Sequence, residues 1–173
     1  QDNLFQENAN VSLPFLKNLF GDKQQAKQEQ IMIYQGEKPC HDHIRNILNS
    51  TSRELNLVLN DMDEMFEIIE IHLDFLQTKG VNMRFIVEKE YKNNDFIQKL
   101  NVFGKVGFLP TIEQNILISD EKTAIQGIKG KFDIANPKEN HNALFSSNST
   151  IYVIYLTEIF EKLWNRATFE NKT

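Results

Sequence analysis

The sequence predicts an α/β fold, a mixed sheet flanked by helices with an N-terminal helical extension. Three observations carry that prediction. Residues 54–60 (Glu-Leu-Asn-Leu-Val-Leu-Asn), an amphipathic stretch from Asp61 to Lys79, and residues 81–87 (Val-Asn-Met-Arg-Phe-Ile-Val) follow one another as strand, helix and strand, which builds a right-handed parallel crossover. Three short apolar pieces, 105–109, 115–119 and 123–126, come next at tight spacing, and the last two read as an antiparallel hairpin. Ahead of both lies an apolar stripe, Phe15, Leu16, Leu19 and Phe20, that reads as a helix outside the sheet unit.

The elements follow in order. Residues 1–10 are polar and rich in Asn and Gln, as a frayed terminus is. Ser12 is placed to cap a helix with Pro14 in its first turn. Gly21 and Asp22 end that helix, or the polar run 23–30 extends it. So short a stripe is not stable alone and needs its own domain, a second copy or a neighbouring domain to cover it. Residues 31–35 form a brief strand closed by Gly36. Cys40 to Ser50 form a helix with Ile44, Ile47 and Leu48 on one face. Its start, Cys40-His41-Asp42-His43, has the composition of a metal cluster, but adjacent helical residues diverge and only i, i+3 or i, i+4 pairs converge. Cys40 and His43 alone do not make a zinc site. The stretch reads as a polar helix start, and no metal or cofactor is expected.

Helix 62–78 carries the strongest periodicity, with Met65, Ile68, Ile69, His72, Leu73 and Leu76 on one side and Phe66 at the edge. Asp61, Asp63, Glu64 and Glu67 crowd its first turns, where the helix dipole favours negative charge. A metal cluster is the competing reading of those carboxylates. His72 reads as a core-edge histidine with its hydrogen bonds satisfied. Gly80 is the left-handed stop of the helix. The strand after it alternates Val81, Met83, Phe85 and Val87 with Asn82, Arg84 and Ile86, so one sheet face is less deeply covered. A further helix is expected over 91–101, a strand over 103–109 stopped by Pro110, and a hairpin over 115–126 turning at Asp120-Glu121-Lys122. Residues 127–148 show little periodicity and are expected to form a long loop of the lid or binding kind. The closing helix, Thr150 to Ala167, carries Ile151, Ile154, Tyr155, Ile159, Phe160, Leu163 and Trp164, and is expected to pack across the sheet.

Composition narrows the function. The 173 residues make one domain with room for a core. A formal charge of −5 without clustered Lys and Arg argues against direct nucleic-acid binding by this segment. One cysteine rules out an internal disulfide framework. No run reaches the ~18 apolar residues of a membrane span and no signal-peptide pattern is present, so a cytoplasmic location is expected, with an extracytoplasmic sensor segment as the alternative. A first residue of Gln rather than Met fits a segment excised from a longer protein. Asn10, Asn49, Asn148 and Asn171 begin glycosylation triplets of the kind that arise by chance in an Asn-rich chain.

The order of motifs resembles a known family. A strand ending in Gly36-Glu37, a helix leading into 47–59 (Ile-Leu-Asn-Ser-Thr-Ser-Arg-Glu-Leu-Asn-Leu-Val-Leu), and then 75–86 (Phe-Leu-Gln-Thr-Lys-Gly-Val-Asn-Met-Arg-Phe-Ile) look like one half of the phospholipase D-like fold. The hairpin 115–126, the stretch 127–134 and the closing 159–167 (Ile-Phe-Glu-Lys-Leu-Trp-Asn-Arg-Ala) are similar to its degenerate sensor branch. That branch includes the effector domain of TrmB-type archaeal transcription regulators and the sensor domains of archaeal signal-transduction histidine kinases. The resemblance covers about 31–167. It implies a division into a polar segment and helix over 1–30, a sensor domain over 31–167 and a tail over 168–173.

Enzymes of the family use a His-x-Lys-x4-Asp motif in which the histidine attacks phosphorus or protonates the leaving group and the lysine steadies the phosphate. Setting its aspartate on Asp120 places Glu113 at the histidine position and Asn115 at the lysine position. None of His41, His43, His72 or His141 has a lysine two residues on. The resemblance therefore implies a non-catalytic, dimeric sensor or effector domain. Its ligand or partner signalling domain would sit at the carboxyl ends of strands 54–60 and 81–87, against Asn60, Asp61 and Glu88. A phosphodiesterase with displaced residues and a purely structural dimerisation module are the alternatives.

Overall fold

The computed structural model describes residues 29–60, 62–130 and 141–169. The expected N-terminal helix, Asp61 and the middle of the 127–148 stretch lie outside them. Strand β1 (Ile31–Gln35) turns through Gly36, at φ 88°, into α1 (Glu37–Ser50). Then come β2 (Glu54–Leu59), α2 (Met62–Thr78) and β3 (Asn82–Glu88). Helix α2 stops at Gly80, whose φ of 74° lets Val81 N–H reach back to the Leu76 carbonyl at 3.0 Å. A 3₁₀ turn (Lys89–Asn93), α3 (Asp95–Phe103), β4 (Lys105–Leu109), β5 (Ile116–Ser119), β6 (Thr123–Gly130), β7 (His141–Ser147), α4 (Thr150–Arg166) and β8 (Thr168–Phe169) complete the order.

The eight strands form one sheet in the order β1-β7-β6-β5-β2-β3-β4-β8. Strands β2, β3 and β4 are parallel, and every other pairing is antiparallel. The period of two divides the side chains between two cores. Leu55, Leu57, Leu59, Met83, Phe85 and Val87 lie in one buried cluster with Ile44 and Leu48 of α1, Ile69 and Leu73 of α2, and Ile97 and Leu100 of α3. Val58, Ile86, Ile116, Ile118 and Ala124 lie in the other, with Val153, Leu156 and Phe160 of α4. Among the described residues, one helix covers this face and three cover the other, as the polar alternate set on β3 foreshadows. Arg84 fills part of the difference. Its Nε donates to Asn56 Oδ1 at 2.9 Å, its Nη2 meets Glu161 Oε1 at 2.7 Å, and its guanidinium lies over the rings of Phe160 and Trp164.

Three expectations are corrected. The helix expected over 91–101 is a 3₁₀ turn followed by α3, because Asn94 is extended (ψ 135°) and accepts a cap hydrogen bond from Phe96 N–H at 2.9 Å. A capping amide competes with helix continuation, and periodicity alone does not register that. Within the stretch expected as a long loop over 127–148, the described residues are sheet up to Ser147: β6 runs on to Gly130 and pairs with β7 from Ala124↔Ser147 to Gly130↔His141. Glycines blur the alternation of β6, and at Gly127 the reason is spatial, since a Cβ there would stand 3.1 Å from Asn115 Cβ. Finally, α4 buries Val153, Leu156 and Phe160, and Ile151, Ile154 and Tyr155 face outward. An apolar count does not give the phase of a helix whose two sides are both apolar.

Candidate functional site

The carboxyl ends of β2 and β3 are crossed by the loop 110–115, and two hydrogen bonds stitch it down. Glu88 Oε1 accepts from Ile112 N–H at 2.7 Å, and Asn115 Oδ1 accepts from Asn60 N–H at 2.7 Å. Asn60 and Glu88, expected as site residues from the sequence, therefore meet Asn115 around one loop. Asp61 lies outside the described residues. Glu113 is exposed on the loop itself. Beside it a second polar chain runs along the sheet, from Gln114 Oε1, which accepts from Gln126 Nε2, to Gln126 Oε1, which accepts from Tyr152 O–H at 3.0 Å. Burial pushes the Tyr152 phenol up to about 12, helped by Tyr155, so it stays a neutral donor. The sequence reading missed Gln114, Gln126 and Tyr152. The one available signal is the hairpin register, which sets Gln126 opposite Ile116, one residue past Asn115.

Asp120 is elsewhere. It lies at the other end of β5, next to the amino end of β2, about 17 Å from Asn115 at roughly 3.4 Å per strand residue. Its carboxylate accepts from Ser52 N–H and Oγ–H (both 2.9 Å), Arg53 N–H (2.7 Å) and Glu54 N–H (3.0 Å). Burial by itself would raise this carboxyl, but the hydrogen bonds from Glu54, Arg53 and Ser52 outweigh it and hold the group below its usual range. Asp120 and Glu121 both adopt the left-handed conformation (φ 54° and 52°), and Lys122 N–H closes the turn on the Ser119 carbonyl at 2.9 Å. An aspartate suits such a primed turn. Thr51 Oγ and Ser119 Oγ, 2.8 Å apart, extend the same seam. Asp120 ties the α1–β2 connection to the hairpin, at the opposite end of β5 from Glu113.

The remaining candidates have structural partners. His43 Nε2 lies 2.8 Å from Ser146 Oγ with its ring stacked on Tyr34 at 4.0 Å, and burial lowers its pKa. His72 Nδ1 donates to the Ile68 carbonyl at 2.8 Å. Cys40 is buried, with Sγ 3.6 Å from the Tyr34 carbonyl oxygen, and burial pushes its thiol up. Among the described residues no three His, Cys, Asp or Glu side chains are grouped to hold a metal ion. Among them, too, no helix is long and apolar enough to cross a membrane.

The chain has a phospholipase D-like fold. It is similar to NucT from Helicobacter pylori, with a TM-score of 0.68 at 12% identity over 83% of this chain and 100% of that one. It is also similar to Nuc from Salmonella typhimurium, a phospholipase D family member, with a TM-score of 0.62 at 12% identity over 84% of this chain and 100% of that one. A third likeness is to TrmBL2, an archaeal chromatin protein with a novel mode of DNA binding, at a TM-score of 0.61 and 16% identity over 94% of this chain. The chain spans 62% of TrmBL2. No family model and no curated protein matches the sequence. At these identities the likeness concerns the fold.

Proposed function

We propose that this chain is a non-catalytic, dimeric sensor or effector domain of a signal-transduction protein, a histidine kinase or a transcription regulator of the archaeal kind. The unit 31–167 holds the ligand site, and residues 1–30 or α4 pass the signal to a partner domain or to the second copy. The observation that carries this reading is the chemistry at the loop 110–115. Where the family's enzymes need a nucleophilic histidine and a phosphate-steadying lysine, this chain has the exposed carboxylate of Glu113 and the amide of Asn115. The Asn115 oxygen is already committed to Asn60 N–H. A carboxylate there repels a phosphodiester, and an amide supplies no countercharge. Acidic and amide groups around Asn60, Asp61 and Glu88 suit a hydroxyl-rich or cationic ligand. The likeness to TrmBL2 supports a regulatory setting, but direct DNA contact is not assigned to this segment, given its charge of −5. A cytoplasmic location is part of the proposal.

Thermal-shift screening against sugars, polyols, amines and nucleotides tests it. A ligand at a hundred times its Kd stabilises by about 2.7 kcal/mol, roughly 5–10 °C in Tm for a domain of this size. Asn60→Ala is expected to abolish the shift without lowering the unliganded Tm. Silence across the panel favours a structural dimerisation module instead. The enzyme reading is tested separately with a chromogenic aryl phosphodiester at high protein concentration, where no turnover is expected. Turnover that disappears in Glu113→Ala would establish a phosphodiesterase.

A further inference from the structure

An apolar patch lies open on the α4 side of the sheet. Strand β1 is an edge strand whose Ile31 and Ile33 are 63% and 65% exposed. Directly opposed residues of an antiparallel pair share a face, so Ile33 stands beside its partner Phe145. Phe145 packs edge-on against Tyr152 of α4, with ring centroids 5.1 Å apart. On the turns around Tyr152, Ile151 is 78% and Tyr155 56% exposed. Exposed isoleucine and tyrosine side chains thus stand on both sides of the Phe145–Tyr152 contact, an arrangement of the kind that marks a docking surface.

The chain enters the fold at the border of this patch. Glu29, the first described residue, accepts from Ser149 Oγ at 3.0 Å and Thr150 N–H at 3.1 Å, at the start of α4. Gln30 N–H donates to Asn148 Oδ1 at 2.7 Å, and its carbonyl accepts from Ser147 Oγ at 2.9 Å. The 28 residues before Glu29 therefore leave from a fixed point next to Ile31 and Ile151. Their apolar content is concentrated in Val11, Leu13, Phe15, Leu16, Leu19 and Phe20, and 21–28 (Gly-Asp-Lys-Gln-Gln-Ala-Lys-Gln), which link that stretch to Glu29, are polar in sequence.

We propose that residues 11–20 dock on their own domain, setting Phe15, Leu16, Leu19 and Phe20 against Ile31, Ile33, Ile151 and Tyr155. The tether reaches far enough. Eight residues span up to about 26 Å, whereas Ile33 lies about 13 Å along the strand from Glu29 and Tyr155 about 8 Å along the helix from Thr150. A tether this short holds the segment at an effective concentration in the millimolar range, which a second copy at micromolar concentration does not match. The segment therefore covers the patch before a partner chain does. The contact does not depend on any ligand at the loop 110–115.

Hydrogen exchange on the 1–173 chain tests this. Amides of 13–20 are expected to exchange at least tenfold more slowly than in a free peptide of that sequence. That protection should be unchanged over a hundredfold dilution and lost in the double variant Ile33→Asp/Ile151→Asp. Both positions are exposed, and unchanged protection of β2 and β3 amides in the variant verifies its fold. Peptide-like exchange in the parent chain overturns the proposal. So does protection that disappears on dilution, which assigns the patch to a second copy, or protection that survives the double variant. A disulfide between Leu16→Cys and Ile33→Cys gives a second readout: a cross-linked monomer supports the intramolecular contact, and a cross-linked dimer overturns it.

Discussion

Replacing Asp120 by Ala is expected to lower the unfolding free energy by about 4 kcal/mol, since hydrogen bonds to a charged group contribute roughly 1.5–3 kcal/mol each and are not additive. Asp120 is only 6% exposed, and its loss leaves the N–H groups of Ser52, Arg53 and Glu54 without their acceptor. The alanine must also hold a φ of 54°, a conformation that aspartate and asparagine tolerate better. Asp120→Asn keeps an acceptor and the turn geometry, and about half the effect is expected. Urea denaturation checks both variants. A loss below about 1 kcal/mol for Asp120→Ala would show that the seam with residues 51–54 is not what holds the hairpin in place.

The same residue sets a pH dependence. Its folded-state pKa is depressed below the ordinary 3.8, so its stabilisation is complete above that value and is lost as pH falls through the folded pKa. Glu54 works in the opposite sense. Burial first, and then Glu121, raise its carboxyl, so ionising it as pH rises costs stability. Comparing the parent chain with Asp120→Asn removes the parts of the Glu54 contribution that come from burial and Glu121, and leaves only the smaller part that the Asp120 charge itself supplies. The stability gap between the two is expected to be constant at neutral pH and to close below about pH 4.

Gly104→Ala is expected to cost about 3 kcal/mol, at the upper end of the usual range for inserting a methyl into packed surroundings. A Cβ at this position would stand 2.2 Å from the Met83 carbonyl oxygen, 2.8 Å from its carbon and 2.9 Å from Phe85 Cε2. The first two are backbone atoms of β3 and cannot rotate away. The φ of −166° is ordinary extended backbone, so the requirement for glycine is one of space alone. Equilibrium unfolding should show a lower midpoint at unchanged m-value. A full-stability alanine variant would mean that the α3–β4 junction yields more easily than a packed backbone should.

Much of the architecture was legible in the residues. The parallel β2–α2–β3 unit, the left-handed stop at Gly80, the hairpin turning at Asp120 and the thinner cover over the Asn82, Arg84 and Ile86 face all follow from spacing and from the backbone preferences of single residues. These are local properties, and a sequence states them directly. The break at Asn94 and the extension of β6 and β7 were not legible. There a side-chain cap and inter-strand hydrogen bonds outweigh weak periodicity.

The candidate site divides along the same line. By itself the sequence set Glu113, Asn115 and Asp120 at the spacing that the resemblance leads one to expect of the catalytic motif, and it placed Asn60 and Glu88 at strand ends. Only the tertiary structure decided that Asp120 is tied to residues 52–54, that Glu88 and Asn60 hold down the loop 110–115, and that Gln126 and Tyr152 join the same end. It also decided that Ile151 and Tyr155 face outward. Those outcomes depend on which strands become neighbours and on the phase at which a helix meets the sheet. Both are set by contacts between residues distant in the chain, about which local pattern carries no information.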